Sequence, residues 1–138
     1  MAILTEKFII NTRGFTDILD ITHKIQDIVS VANIKEANVC VYAQGSTLSL
    51  TMLEFEPGLL KDLPDILEKI APEGKDYFHN KRWNDGNGYA HIRASIIGNS
   101  VNVPVVDGHL LLGTWQQIVL VDFDNRPRSR TITVQILY

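Results

Sequence analysis

The chain has 138 residues, of which 45% are hydrophobic, and its 13 Lys and Arg against 16 Asp and Glu give a formal net charge of -3. This length fits a single domain, residues 1–138, that buries about 68% of the surface exposed by its unfolded chain. The mild negative charge gives no overall positive field for a polyanion, so we expect a small ligand and no nucleic-acid partner. No apolar run approaches the roughly 18 residues of a membrane helix, and residues 1–6 lack signal-peptide features, which predicts a cytoplasmic protein with no membrane partner.

Hydrophobic periodicity predicts strands and a helix in the first part of the chain. A strand is predicted over residues 3–10, and apolar residues at helical spacing predict an amphipathic helix over residues 17–32. Strands are also predicted over residues 39–43 and 47–55. Gly45 lies between them and can adopt the positive φ of a tight turn, so we expect a hairpin.

A second amphipathic helix is marked by the apolar residues from Leu59 to Ile70 and ends before Pro72. Pro64 is its weak point, because proline fits the first turn of a helix but breaks its interior. The helix therefore accommodates this proline if it begins only near Asp62.

The next segment, residues 74–91, lacks apolar periodicity and is rich in Gly, Asn and Asp, which predicts a long loop. Its four aromatic residues favour an ordered loop over a disordered one, and long ordered loops are usually functional. A short helix is predicted from His91 to Ile97. Four more strands follow, with Asp107-Gly108 as the turn between the first two: residues 101–105, 110–112, 116–122 and 130–137. The predicted fold class is α+β, dominated by antiparallel sheet.

Two histidines, His79 and His91, are the central candidate site residues. They are twelve positions apart across a Gly-rich segment and share no helical face, so their convergence depends on the fold of the loop. With Asn80, Asp85 and Asn87 nearby, they could hold a transition metal as neutral imidazoles or donate hydrogen bonds to a phosphate. The alternative is that each histidine caps a helix or packs structurally.

The single cysteine, Cys40, lies in an apolar run and is predicted to be a small core side chain. One cysteine leaves too few ligands for a structural four-ligand zinc site. The suspected divalent metal, zinc or magnesium, would instead use His79 and His91, and magnesium would prefer oxygen ligands such as Glu54 and Asp85.

An ordered series of motifs over most of the chain resembles the YjbQ family: Gly45-Ser46-Thr47 with Thr51 and Glu54, Tyr77-Phe78-His79-Asn80, Gly86-Asn87-Gly88 to His91, Ala94-Ser95 with Gly98, Val103-Pro104-Val105 with Asp107-Gly108, and Leu112-Gly113-Thr114-Trp115-Gln116. The resemblance implies curled, sandwich-like antiparallel sheets with two amphipathic helices, a homotrimer and a secondary thiamine-phosphate synthase activity. The primary function of that family is poorly defined. Many members have His-Thr-Thr where this chain has Gly45-Ser46-Thr47, as in what looks like an archaeal-type branch, so a third imidazole is absent.

The catalytic candidates are Glu54, His79 and His91. Glu54 ends a strand and matches the family pattern; if it faces the histidine loop, it could bind a metal, transfer a proton or orient an imidazole. The alternative is a solvated glutamate. Arg128 matches the arginine of the family that follows an Asp-containing strand, and it could pair with phosphate. The ligand-binding candidates are Asn80, Asn87, Gln116 and Arg128.

Three functions remain open. The first is a transferase with thiamine-phosphate synthase-like activity, which joins a pyrimidine methyl pyrophosphate to a thiazole phosphate and releases pyrophosphate. The chain has no Gly-rich phosphate loop and no Asp-rich pyrophosphate motif, which weakens the case for a dedicated synthase. The second is a non-catalytic homotrimeric module that binds a metal or a small anion. The third is a metal-dependent hydrolase that activates water at His79 and His91.

Overall fold

Eight strands and four helices make up the computed structural model, which describes all 138 residues. In chain order the elements are β1 (Ile3–Thr12), β2 (Asp17–Asp20), α1 (Thr22–Ala32), β3 (Ala37–Ala43), β4 (Leu48–Glu54), α2 (Pro57–Ile70), α3 (Phe78–Trp83), α4 (Gly88–Ile97), β5 (Ser100–Val106), β6 (His109–Leu110), β7 (Gln116–Asp122) and β8 (Arg128–Leu137). Sheet A has the order β1-β8-β3-β5-β6, and sheet B has the order β2-β7-β4. All pairs are antiparallel, which confirms the predicted α+β class. None of the helices combines the length and apolar character needed to cross a bilayer.

The central strand of sheet B, β7, is buried on both faces. Ile118 and Leu120 pack into the core that sheet B shares with sheet A and α1. Val119 and Val121 face a second core, which α2 and α4 cover. Full burial of each such side chain stabilises the fold by about 1.5–3 kcal/mol relative to exposure. Residues 118–121 therefore place sheet B between the core shared with sheet A and α1 on one side and α2 with α4 on the other.

Sheet A follows the alternation of a half-buried sheet. In β8 the side chains of Ile132, Val134 and Ile136 enter the core, and the residues between them lie on the outer face. The turn at Asp107-Gly108 joins β5 to β6 as predicted, because both residues adopt positive φ, 51° and 81°. β6 is shorter than predicted and ends at Leu110.

The predicted hairpin between residues 39–43 and 47–55 is wrong. β3 pairs with β5 and β8 in sheet A, whereas β4 pairs with β7 in sheet B. The chain therefore crosses from one sheet to the other at residues 44–47. Asn99 holds this crossing, because its side-chain amide donates to the carbonyls of Ala43, Gly45 and Leu48. A glycine between two apolar runs is compatible with either connection, so the sequence pattern did not distinguish them.

Both long helices begin at different residues from those predicted. α1 begins at Thr22 because residues 17–20 pair with β7 as strand β2. α2 begins at Pro57, where the Glu56 carboxylate accepts hydrogen bonds from two N–H groups of the first turn. Pro64 therefore lies inside the helix. The packing of the apolar face of α2 on the second core offsets the hydrogen bond that this proline cannot donate.

The predicted loop over residues 74–91 contains α3 and the beginning of α4, which starts at Gly88 instead of residue 91. The protein thus has two short helices in addition to the two amphipathic ones. Cys40 is a free thiol and only half-buried, because it lies on the outer face of β3 between Val39 and Val41. Its predicted place in the core is therefore wrong.

Candidate functional site

A polar cleft of about 400 Å³ lies at one end of the two sheets, and no hydrophobic residue lines it. Residues 44–47, where the chain crosses from sheet A to sheet B, form one wall. Residues 128–131, where the chain has returned to sheet A, form another, together with Asp124. Asn87 and His91, at the start of α4, complete the lining. The cleft therefore forms where the two sheet-to-sheet connections meet a helix.

A buried ion pair forms the floor of the cleft. Nε and Nη2 of Arg130 donate to the two carboxylate oxygens of Asp122 at 2.7 and 2.9 Å, and both side chains are almost fully buried. Two hydroxyls extend the network, since Thr12 donates to Asp122 and Thr47 accepts from Arg130. The pair ties β8 of sheet A to β7 of sheet B.

Asp124 forms a second polar centre above the first. Its carboxylate accepts from Nη1 of Arg128 at 2.6 Å, from the Thr47 hydroxyl at 3.1 Å and from the Asn87 amide at 3.3 Å. Burial by itself would raise the pKa of Asp124. The backbone N–H of Asn125, the two side-chain donors and the Arg128 charge outweigh burial and hold that pKa below its usual range. Asp124 is therefore an ionised anchor that positions Arg128.

The two predicted histidines meet beside the cleft. The ring centroids of His79 and His91 are 4.3 Å apart, and the ring planes are inclined by 39°. Nδ1 of His79 lies 3.4 Å from a carboxylate oxygen of Asp85, but the alignment does not make a hydrogen bond, and this buried nitrogen has no partner. Burial and the neighbouring His79 lower the pKa of His91, while Asp85 and Asp124 partly oppose them. His91 is therefore neutral at pH 7.

No group of three or more His, Cys, Asp and Glu side chains is arranged to hold a metal ion. His79 and His91 supply two imidazoles, whereas an open catalytic zinc site uses about three protein ligands. Within one chain these residues do not fit a zinc centre. The divalent metal and the hydrolase that depends on it both stay predictions.

Glu54 and Gln116 lie away from the histidines. They pair with each other at one end of β4 and β7, whereas Leu48 pairs with Asp122 at the cleft end. Six residues of strand separate the two ends, a distance of about 20 Å. Within one chain Glu54 therefore does not face the histidine loop, contrary to the sequence-based expectation. The Gln116 side chain instead accepts a hydrogen bond from the N–H of Gly113.

The other ligand-binding candidates divide into two groups. Asn87 and Arg128 line the cleft together with His91. Asn80 has a structural contact, because its side-chain oxygen accepts from the N–H of Gly88 at 2.9 Å and so fixes the start of α4.

Sequence reasoning did not identify Asp122, Asp124 and Arg130 as buried, paired charges. One signal could have identified the arginine. Arg130 is in phase with Ile132 and Val134, which share the core face of a strand with a period of two residues. A charge at a core position needs a buried partner, and Asp122 ends β7, the apolar strand that precedes β8 in the chain.

Comparisons with known proteins show to which family the chain belongs. Residues 6–138 match the family described as UPF0047 protein YjbQ-like. The chain belongs to the YjbQ-like UPF0047 family. A UPF0047 protein of Archaeoglobus fulgidus is 40% identical over 93% of this chain and 97% of its own length. One from Methanothermobacter thermautotrophicus is 32% identical over 99% of this chain and 93% of its own length.

Solved structures of YjbQ-like proteins have the same fold. A YbjQ-like protein of unknown function from Sulfolobus solfataricus superposes with a TM-score of 0.93 at 30% identity, covering 99% of this chain and 97% of its own. A hypothetical protein from Aeropyrum pernix superposes with a TM-score of 0.90 at 33% identity, covering 97% and 98%. These likenesses confirm the resemblance and the curled antiparallel fold, and they carry no statement of an activity.

The lowered pKa of His91 predicts how this YjbQ-like protein titrates. In an NMR titration, the His91 ring should protonate with a midpoint below the about 6.5 of an unperturbed histidine. His79→Asn should raise this midpoint, because the interaction with the His79 ring that lowers the pKa of His91 is removed. Asp85→Asn should lower it further, because a negative neighbour is removed. A midpoint at or above 6.5 in the unaltered protein would contradict the structure.

Stability should follow the same titration. Between the folded pKa of His91 and about 6.5 the unfolded chain binds the proton more readily, so the free energy of unfolding should fall as pH falls through this window. Below the folded pKa this contribution levels off. Urea unfolding of His91→Asn, compared with the unaltered protein at each pH, isolates the effect, and equal slopes in the two proteins would rule it out.

Proposed function

We propose that this is a cytoplasmic protein whose cleft binds the phosphoryl group of a small phosphorylated molecule, and that thiamine-phosphate synthase-like transfer is secondary to this binding. One observation carries the proposal. The cleft has no hydrophobic lining residue, yet it contains two arginines and His91. Its volume of about 400 Å³ lies in the range of small-ligand sites, about 300–1,000 Å³.

The chemistry of the lining suits phosphate. The guanidinium fork matches the geometry of phosphate oxygens and keeps its charge at every physiological pH. Arg128 binds Asp124 through Nη1 alone, and its side chain is 33% exposed, so its other donors are available to a ligand. His91 is uncharged at pH 7 and supplies both a donor and an acceptor, which permits proton transfer next to the bound group.

The same lining argues against a dedicated synthase. The pyrimidine and thiazole rings of thiamine-phosphate synthesis present flat apolar faces, which binding sites normally cover with apolar or aromatic side chains. The cleft offers no hydrophobic residue for this purpose. A non-catalytic anion-binding module is therefore the second candidate, and weak transfer activity is compatible with it.

The family resemblance further implies a homotrimer, which we include in the proposal. Large apolar side chains on the surface support an assembly, among them Ile9, which is 67% exposed on the edge strand β1, and Trp115, which is 70% exposed. Light scattering should report three times the 15.5 kDa mass of one chain. A single-chain mass that persists at high concentration would remove the trimer from the proposal.

Arg128→Ala should weaken the binding of inorganic phosphate about tenfold or more, because each lost charge-assisted hydrogen bond is worth about 1.5–3 kcal/mol. Isothermal titration calorimetry measures the effect. The matched control is Arg126→Ala, which removes an exposed arginine that does not line the cleft. Equal losses of phosphate affinity in the two variants would show that general surface charge causes the effect, and this would contradict the proposal.

Thiamine phosphate formation should fall only a few-fold in His91→Ala, because we expect the transfer to be a by-product of anion binding. His23→Ala, which removes an exposed histidine of α1, is the control. A positioned acid or base contributes about 100-fold or more. A loss of that size at an unchanged melting temperature would instead identify a dedicated synthase with His91 in the reaction.

A further inference from the structure

One guanidinium nitrogen of the buried arginine on the cleft floor has no hydrogen-bond acceptor within the protein. Arg130 is 4% exposed, and its Nε and Nη2 bind Asp122 and Thr47, whereas Nη1 makes no hydrogen bond within the protein. Nη1 lies against Gly45, since a Cβ at position 45 would be only 3.1 Å from it. Because position 45 has no side chain, this unpaired donor stays uncovered towards the cleft.

Three consecutive backbone donors lie next to it. The N–H groups of Gly45, Ser46 and Thr47 make no hydrogen bond to any backbone acceptor of the protein. The Thr47 side chain has its own partners, Asp124 and Arg130, and none of the side-chain acceptors reaches these N–H groups. Thr47 is 4% exposed, and buried N–H groups are nearly always paired, whereas Gly45 and Ser46 are exposed and their N–H groups are open to a ligand. An acceptor from outside the chain would complete this part of the cleft.

We propose that Nη1 of Arg130 and the N–H groups of residues 45–47 hold the phosphoryl oxygens of a hydroxylated phosphomonoester, the class to which sugar phosphates belong. This inference rests on the proposed function and adds to it the position of the phosphoryl group and the nature of the rest of the ligand. Phosphoryl oxygens only accept, and consecutive backbone N–H groups beside an arginine are a recurrent way to bind them.

The remaining lining indicates a hydroxylated ligand. The side chains of Gln44, Ser46, Ser129 and Thr131 line the cleft and make no hydrogen bond within the protein. Hydroxyl and amide groups donate as well as accept, so they complement the hydroxyls of a ligand. An aromatic or alkyl phosphate would find no apolar wall there.

Calorimetry at pH 8 with inorganic phosphate, ribose 5-phosphate and phenyl phosphate tests the inference. Gly45→Ala should weaken the binding of all three about tenfold, the loss expected for one charge-assisted hydrogen bond, because its Cβ covers Nη1 of Arg130. Gly74→Ala, where no atom lies within 4 Å of the added Cβ, is the matched control. Ribose 5-phosphate should bind about tenfold tighter than the other two, since it alone offers the alcohol hydroxyls of a sugar.

The added Cβ would also lie 2.6 Å from Cδ2 of Leu48, so Gly45→Ala can fail to fold. NMR of the unaltered protein then provides the test. On addition of inorganic phosphate, the amide signals of residues 45–47 should shift, while that of Gly113, which already binds Gln116, should not.

Each outcome decides a different point. Phosphate binding without shifts at residues 45–47 overturns the phosphoryl position and leaves the proposed function intact. Phenyl phosphate binding as tightly as ribose 5-phosphate overturns the hydroxylated class. Failure of all three compounds to bind overturns the inference and the proposed function together.

Discussion

The ion pair between Arg130 and Asp122 is the interaction on which the cleft depends. It joins the two sheets at one end, where β7 of sheet B and β8 of sheet A leave the common core. Desolvation of two charges is costly, and a buried pair is tolerated when hydrogen bonds satisfy the remaining groups, as Thr12 and Thr47 do here. Removal of one partner would leave an uncompensated charge, at a cost of about 3–5 kcal/mol.

Charge balance around this pair determines how the cleft can attract an anion. Arg128 and Arg130 are matched by Asp124 and Asp122, so the cleft has no large excess of positive charge. The whole chain has a formal charge of -3. Any attraction of an anion must therefore come from hydrogen-bond donors that contact it directly, namely guanidinium nitrogens and backbone N–H groups. Such a site discriminates by geometry more than by overall field.

The sequence predicted those parts of the fold that depend on local periodicity. The strand predicted over residues 116–122 matches β7, and the strand predicted over residues 130–137 lies within β8. Pairing is different, because the same pattern around Gly45 suits a hairpin and a sheet-to-sheet crossing. For the site, too, the sequence predicted some lining residues but not their distances from one another. His91, Asn87 and Arg128 do line the cleft, but the 4.3 Å approach of His79 and the distance to Glu54 depend on tertiary packing.

Gly45 lies against the cleft at the position where the family resemblance implies a histidine in many members. A histidine at this position would place its Cβ 2.6 Å from Cδ2 of Leu48 and 3.1 Å from Nη1 of Arg130, so Leu48 would have to shift and this nitrogen would be covered. The family resemblance implies an imidazole at position 45 in many members, whereas in this chain Nη1 of Arg130 is uncovered there. A neutral imidazole both donates and accepts hydrogen bonds, whereas the guanidinium group of Arg130 only donates them. At position 45 such a site offers a donor for an anion and no group that accepts a proton, which is consistent with the binding role proposed above.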